Sequence, residues 1–273
     1  MRSGVREFGA VVRHAKRLKQ TSAGRPFLLP AFLDEDVESG GAQELASGDA
    51  QARANGWIRR DGHLDRRWAE ITDSLGYGSA WGFLHVHYSD GEDIRAVVTV
   101  RRGSAFRFDM RGDSVVIDQV RPDAPWPALL GCLPDAAAAE VEPFVLPRSA
   151  WDEAVSASRH FLADPGDGVA FSYELRHRGV PEGDASSLGG LIRSRDGHSR
   201  LAVALRDADD VVRDGPTIGV WDTPSGRVAA LPGVPDSERV TVASADEVLL
   251  IRTLQQQLDD LFNRYGETPD VAI

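Results

Sequence analysis

Residues 81–120, WGFLHVHYSDGEDIRAVVTVRRGSAFRFDMRGDSVVIDQV, alternate apolar and polar side chains in four short runs. Trp81 to Tyr88, Ile94 to Val100, Ala105 to Met110 and Val115 to Val120 are rich in β-branched and aromatic residues, which favour strands. The breaks between them, Ser89-Asp90-Gly91, Arg102-Gly103-Ser104 and Arg111-Gly112-Asp113, carry hairpin-turn chemistry. The pattern predicts an antiparallel meander. Pro122 to Leu133 follows as a helix, with Pro125 near its start, where a missing N–H costs nothing.

The same order returns from Thr217 to Leu261. Val98, Val100 and Arg107 recur as Ile218, Val220 and Arg227, each 120 positions later (227 minus 107), before an insertion around Pro232-Gly233-Val234-Pro235. Repetition of this kind predicts a duplicated unit around a shared core. The expected halves are residues 1–134 and 135–273, meeting at a Pro- and Ala-rich joint, Pro134 to Ala139 and Pro143 to Pro147, within one compact domain. Strands are expected at Leu201 to Arg206, Thr217 to Asp222, Arg227 to Leu231 and Arg239 to Ala243.

Helical periodicity surrounds these strands. Phe8, Val11, Val12, Ala15 and Leu18 mark an N-terminal amphipathic helix with Arg6, Arg13, Lys16 and Arg17 largely on its solvated side. A second helix is expected over 42–54, ended by Asn55-Gly56, and a third from Leu64 to Leu75 with Trp68 in the core. In the second half, Ser149 is the expected cap of a helix carrying Trp151, Val155 and Phe161. Phe171, Leu175 and Gly179 outline another helix, and Leu188 to Arg195 a further one. Ser244 and Glu247 read as a capping box for a long terminal helix with a Val248, Ile251, Leu254, Leu258, Leu261 and Tyr265 stripe ending at Gly266. The expected class is α+β, a duplicated helix, meander and helix unit.

Composition narrows the functional classes. The chain has 273 residues, 42% hydrophobic and 27% charged, with a net charge of −11. Residues 1–25 carry seven basic side chains against Glu7, so the remaining body is strongly acidic and poorly suited to wrapping nucleic acid. The basic start leaves an anionic-ligand module as a minor reading. No apolar run approaches the roughly 18 residues that span a bilayer. Arg2, Arg6 and Arg13 occupy the place of a secretory apolar core, which points to the cytoplasm. The single cysteine, Cys132, excludes an intrachain disulfide and reads as a small core residue.

Motifs for catalysis are sparse. The sequence has no G-x-x-x-x-G-K-[ST], G-x-S-x-G or H-E-x-x-H. His85 and His87, two apart on a strand, share a face and offer the alternative reading of a small metal-dependent hydrolase, with His63, His198 or a carboxylate as a third ligand. Asp65, Glu70 and Asp73, and Asp207, Asp209 and Asp210, read as surface carboxylates or turn residues. No cofactor is expected.

Several phrases carry a family resemblance. Gly219-Val-Trp-Asp-Thr-Pro-Ser-Gly-Arg227, Val240-Thr-Val-Ala-Ser-Ala-Asp246, Arg53-Ala-Asn-Gly-Trp57 with Leu64-Asp65, and Arg6-Glu-Phe8 resemble the EspG family of actinobacterial type VII (ESX) secretion-associated proteins. The resemblance implies a central antiparallel sheet flanked by two helical bundles in a pseudo-two-fold arrangement. It also implies a cytosolic, non-enzymatic chaperone that binds the PPE tip of a PE–PPE substrate pair. In that family the partner surface involves the central sheet, a loop between strands of the first half and the C-terminal bundle. By position the loop is Ser89, Asp90, Gly91, Glu92 and Asp93, and Leu188, Leu191 and Trp221 are candidate apolar contacts in the second half.

Overall fold

Alternation along each strand decides what the two sheet faces hold. The structure is a computed structural model that describes residues 1–20, 42–88, 93–101, 103–157, 168–233 and 238–266. In chain order the first half holds β1 (Arg2–Gly4), α1 (Val5–Gln20), α2 (Ala42–Ala54), α3 (Arg66–Gly76), β2 (Ala80–Tyr88), β3 (Asp93–Arg101), β4 (Ser104–Arg111), β5 (Ser114–Val120) and α4 (Pro125–Leu130). The second holds β6 (Phe144–Pro147), α5 (Arg148–Ala157), α6 (Gly168–His177), α7 (Glu182–Arg193), β7 (Gly197–Arg206), β8 (Val212–Asp214), β9 (Ile218–Thr223), β10 (Gly226–Pro232), β11 (Arg239–Ser244) and α8 (Glu247–Tyr265).

All these strands join one antiparallel sheet in the order β1-β5-β4-β3-β2-β7-β9-β10-β11-β6, with β8 added beside β7. The two meanders meet at the β2–β7 seam, where Ala80 pairs with Leu205 and Tyr88 with Gly197. On one face Leu84, Val98, Leu201, Val203 and Val220 pack against α4 and α8. Leu250, Leu254, Leu258 and Leu261 are the buried stripe of α8, each stabilising by about 1.5–3 kcal/mol relative to an exposed position. Trp126 of α4 donates through Nε1 to Gln255 Oε1 of α8 at 2.8 Å. Gly82 makes room for α4, since a Cβ there would meet the Trp126 ring at 2.6 Å. The opposite face carries two separate helical groups. Phe8, Trp68, Ile71 and Leu75 of α1 and α3 cover Trp81, Val97, Phe106 and Phe108. Ala154, Phe171, Leu175 and Leu188 of α5 to α7 cover Trp221, Val228 and Val242.

The eight strands expected from alternation are present, and so is the terminal helix through Tyr265. Several local expectations are corrected. Ser244 ends β11 and does not cap α8: its hydroxyl donates to the carbonyls of Ala139 and Val141, and Asp246 caps the helix by accepting from Leu249 N at 2.7 Å. Ser149 lies inside α5, which begins at Arg148. Helix α4 is shorter than predicted because Gly131 closes it and the N–H groups of Cys132 and Leu133 donate in tight turns to Leu129 and Leu130. Helix α7 begins at Glu182, ahead of the predicted Leu188, with Glu182 and Asp184 in its first turn, where carboxylates favour the positive end of the helix dipole. Arg13 is buried and pairs with Asp49 at 3.5 Å. Phe161 lies outside the described residues, as do Val234 and Pro235.

The repeat offset also changes. Arg101 and Ser104 flank the β3–β4 turn, and Thr223 and Gly226 flank the β9–β10 turn, so the hairpins are 122 positions apart (223 minus 101). Arg107 therefore does not correspond to Arg227 by register. Arg107 pairs with Asp118 on the following strand at 2.7 Å, whereas Arg227 pairs with Asp222 on the preceding strand at 2.6 Å.

Candidate functional site

Strands β2 and β7 run from an apolar end to a polar one on the face that holds the two helical groups. The β2 side chains on this face are Trp81, Phe83, His85 and His87, and their register partners on β7 are Ala204, Ala202, Arg200 and His198. Trp81 and Ala204 lie under α1 to α3. His85, His87, His198 and Arg200 are only partly covered or exposed, so a polar strip lies between the two helical groups. Adjacent β3 adds Asp93, opposite His87, and Arg95, opposite His85.

Hydrogen bonding and burial set the charge of this strip. Asp93 Oδ1 lies 2.6 Å from His87 Nδ1 and 3.6 Å from His85 Nε2. Burial pushes the Asp93 carboxyl up, but the His87 hydrogen bond and the two imidazoles outweigh it and hold the group below its usual range. His85 is lowered by burial and by Arg95 and Arg200, against the pull of Asp93. His198 is driven down to about 4 by burial, then by Arg195, His87 and Arg200. At neutral pH, His85 and His198 are therefore neutral acceptors or donors, and the fixed positive charge resides on the arginines.

A cavity of about 720 Å³ opens beside His198 and Arg200 towards the second helical group. Its walls include Arg148, Trp151, Trp221 and Val240. Trp151 meets Trp221 edge to face with ring centroids 5.8 Å apart, and Phe171 at 5.6 Å. Aromatic pairs in this geometry are held rigidly and present an amphipathic wall.

The EspG family model matches residues 37–256, most of the chain. The chain belongs to the EspG family. A solved structure of the Mycobacterium tuberculosis type VII secretion system chaperone EspG5, in complex with a PE25–PPE41 dimer, aligns with 100% of this chain and 99% of that one, at a TM-score of 0.63 and 15% identity. At this identity the likeness establishes the shared fold. A search of curated proteins finds no match.

In this EspG-family chain the residues named from sequence fall in different environments. Ser89, Asp90, Gly91 and Glu92 lie outside the described residues. Asp93 opens β3 and is engaged by His87. Leu188 is fully buried in line with Ala185 and Ile192, so it is a core residue that offers no surface to a partner. Leu191 sits one step off that stripe and is half-buried. Trp221 is 8% exposed, yet its ring edge reaches the cavity. Arg148 and Arg200 were not singled out from sequence, and Trp151 was named only as a residue of a helix. The spacing His198-x-Arg200 would place them on one strand face, but only the β2–β7 pairing brings that face to His85 and His87.

The hydrolase reading finds no support in the geometry. His87 and His198 have ring centroids 5.2 Å apart, but among the described residues no group of three or more His, Cys, Asp or Glu side chains is arranged to hold a metal ion. Two of the other carboxylates organise backbone. Asp65 caps α3 by accepting from Arg67 N and Trp68 N. Asp207 accepts from the N–H groups of Asp209 and Val211 and from Arg213 Nε at 2.7 Å, which builds the β7–β8 turn. Cys132 is buried, and burial raises its thiol to about 11. Among the described residues no helix is long and apolar enough to cross a membrane.

Proposed function

We propose that this chain is a chaperone-like binding protein that holds a PE–PPE-type heterodimer for a type VII secretion system. The observation that carries the proposal is the partly open face of β2 and β7 between two helical groups, with a cavity of about 720 Å³ at its side. Family membership and a fold shared along the whole chain with a chaperone solved on such a dimer support the same reading.

Physically, the task is masking. An apolar tip on a helical substrate exposes surface that drives aggregation, and covering it returns about 25 cal/mol per Å². A stable complex needs roughly 1,600 Å² of buried surface in total, which requires a broad platform rather than a pocket. The strip, the cavity and the flanking helices together form such a platform. Of the residues named from sequence, Asp93, Leu191 and Trp221 are proposed to contribute, and the 89–92 loop is proposed as a contact because it joins β2 to β3 in the sequence.

Within this reading the two halves, 1–134 and 135–273, are copies of one plan, related by a pseudo-two-fold axis through the β2–β7 seam. Each begins with an edge strand followed directly by a helix, β1 with α1 and β6 with α5, and ends in a helix on the opposite face. The binding role involves no catalysis and is exercised in the cytoplasm, before the substrate reaches the secretion machinery. Co-expression with a PE–PPE-type pair from the same organism tests the proposal. The expected result is a soluble complex of all three chains. If the pair stays insoluble and the chain elutes alone, the proposed function fails.

A further inference from the structure

The cavity beside the strip combines an aromatic wall with a cationic rim. Trp151 and Trp221 form the wall, and Arg148, His198 and Arg200 lie at the rim. The surrounding charges are not balanced equally. Arg148 has a partner in Asp152 on its own helix at 3.5 Å. Arg200 is exposed and makes no ion pair among the described residues. Asp93 is committed to His87 and His85 on the first-half side of the strip. Arg195 and Arg95 add further positive charge around the histidines. An exposed guanidinium with no ion pair among the described residues is notable in a chain of net charge −11, and Arg200 stands at the same cavity as the Trp151 and Trp221 rings.

Resting on the function proposed above, we propose that this cavity selects partners carrying an apolar side chain next to a carboxylate. The apolar group would seat against Trp151 and Trp221, and the carboxylate would meet Arg200, with Arg148 and His198 as further donors. Arg200 and Arg148 are then specificity-determining residues, since a guanidinium gives a carboxylate a planar, two-pronged partner. A lysine or an amide at the same place on the partner would leave Arg200 opposed or poorly matched. Selection against such partners follows from that mismatch as much as from attraction to the correct one.

Two labelled peptides test this with the full-length chain: one built of leucine, phenylalanine and glutamate, and its counterpart with glutamine for every glutamate. The expected result is tighter binding of the glutamate peptide by about tenfold, weakening with added salt. Arg200→Glu should abolish the preference, and Arg200→Lys should keep part of it. Circular dichroism and an unchanged unfolding midpoint would confirm that the variants are folded. Equal affinity for the two peptides, no binding of either, or a preference that survives Arg200→Glu combined with Arg148→Glu overturns the inference. Co-purification with a PE–PPE-type pair is scored separately. A captured pair with no peptide preference rejects this inference alone, whereas peptide preference without capture of any pair rejects the proposed function alone.

Discussion

His87 and His198 face each other across the β2–β7 seam with ring centroids 5.2 Å apart, so two adjoining imidazoles of the polar strip come from opposite halves of the chain. The pairing concentrates Arg195, Arg200, His85 and His87 around a histidine that folding holds neutral, with Asp93 as the counter-carboxylate on the β3 side.

Acid should therefore loosen the fold in a defined window. His198 titrates near 6.5 when unfolded and at about 4 when folded. Between those values the unfolded chain binds more protons, so stability falls as pH drops and levels off below the folded value, at a cost of at most about 1.4 kcal/mol per pH unit. Urea unfolding across this range should show the slope in the native chain and a smaller one in His198→Gln. An identical slope in the variant would assign the acid sensitivity elsewhere.

The arginines that the repeat appeared to match should differ in their energetic weight. Arg227 is 6% exposed and joins Asp222 to the carbonyl of Pro134, which ties the joint between the halves to β10. Arg227→Ala leaves a partly buried carboxylate unpaired and should cost on the order of 3 kcal/mol. Arg107, 25% exposed and paired with a more exposed Asp118, should cost less when replaced by alanine. Chemical denaturation of the two variants checks the order.

Adjacent glycines in α7 should respond in opposite senses. A Cβ on Gly189 would lie 2.3 Å from the Gly168 carbonyl oxygen, because α6 and α7 cross at these residues. Gly189→Ala must push the helices apart and should destabilise by more than about 1 kcal/mol. At Gly190 nothing lies within 4 Å of the added methyl, so Gly190→Ala should stabilise by roughly 0.5–1 kcal/mol through helix propensity. Thermal unfolding midpoints moving in the same direction would contradict the crossing.

The cap of α8 is similarly testable. Asp246→Ala removes the acceptor for Leu249 N and should cost about 1 kcal/mol. Ser244→Ala should leave helix fraying unchanged, since its hydroxyl serves Ala139 and Val141. Amide exchange over the first turn of α8 separates the two effects: faster exchange belongs to the Asp246 variant alone.

Strand alternation made the meanders legible where one face is more exposed than the other, as in β4 and β5, and β-branched runs marked strands such as β3 that are buried on both faces. The stripe of α8 was legible at Leu254, Leu258 and Leu261 as a long amphipathic run, but Val248, read into it, is exposed, and Leu250 is the buried residue of the first turn. Strands β1, β6 and β8 were not, since three or four residues carry too little periodicity, and β6 ends in Pro147 within a stretch that reads as a joint. His85 and His87 were identified as one face of a strand, but what surrounds them depends on a pairing of residues more than 100 positions apart. His198 entered only as a possible metal ligand, and Arg200 precedes the expected Leu201 to Arg206 strand, so local pattern tied neither residue to the seam. Leu188 and Leu191 show the limit on helices: spacing placed both in one helix, and only the packing of α7 on its neighbours separated the buried one from the half-buried one.

Histidine footprinting of the complex tests the central claim most directly. Diethyl pyrocarbonate labelling of the chain, free and bound to a PE–PPE-type pair, reads out each imidazole by mass spectrometry. Docking on the open strip predicts strong protection of His85, His87 and His198 in the complex, while the exposed His63 and His177 label as before. If the pair is bound and the three strip histidines label at their free rate, the partner sits elsewhere and the account is wrong.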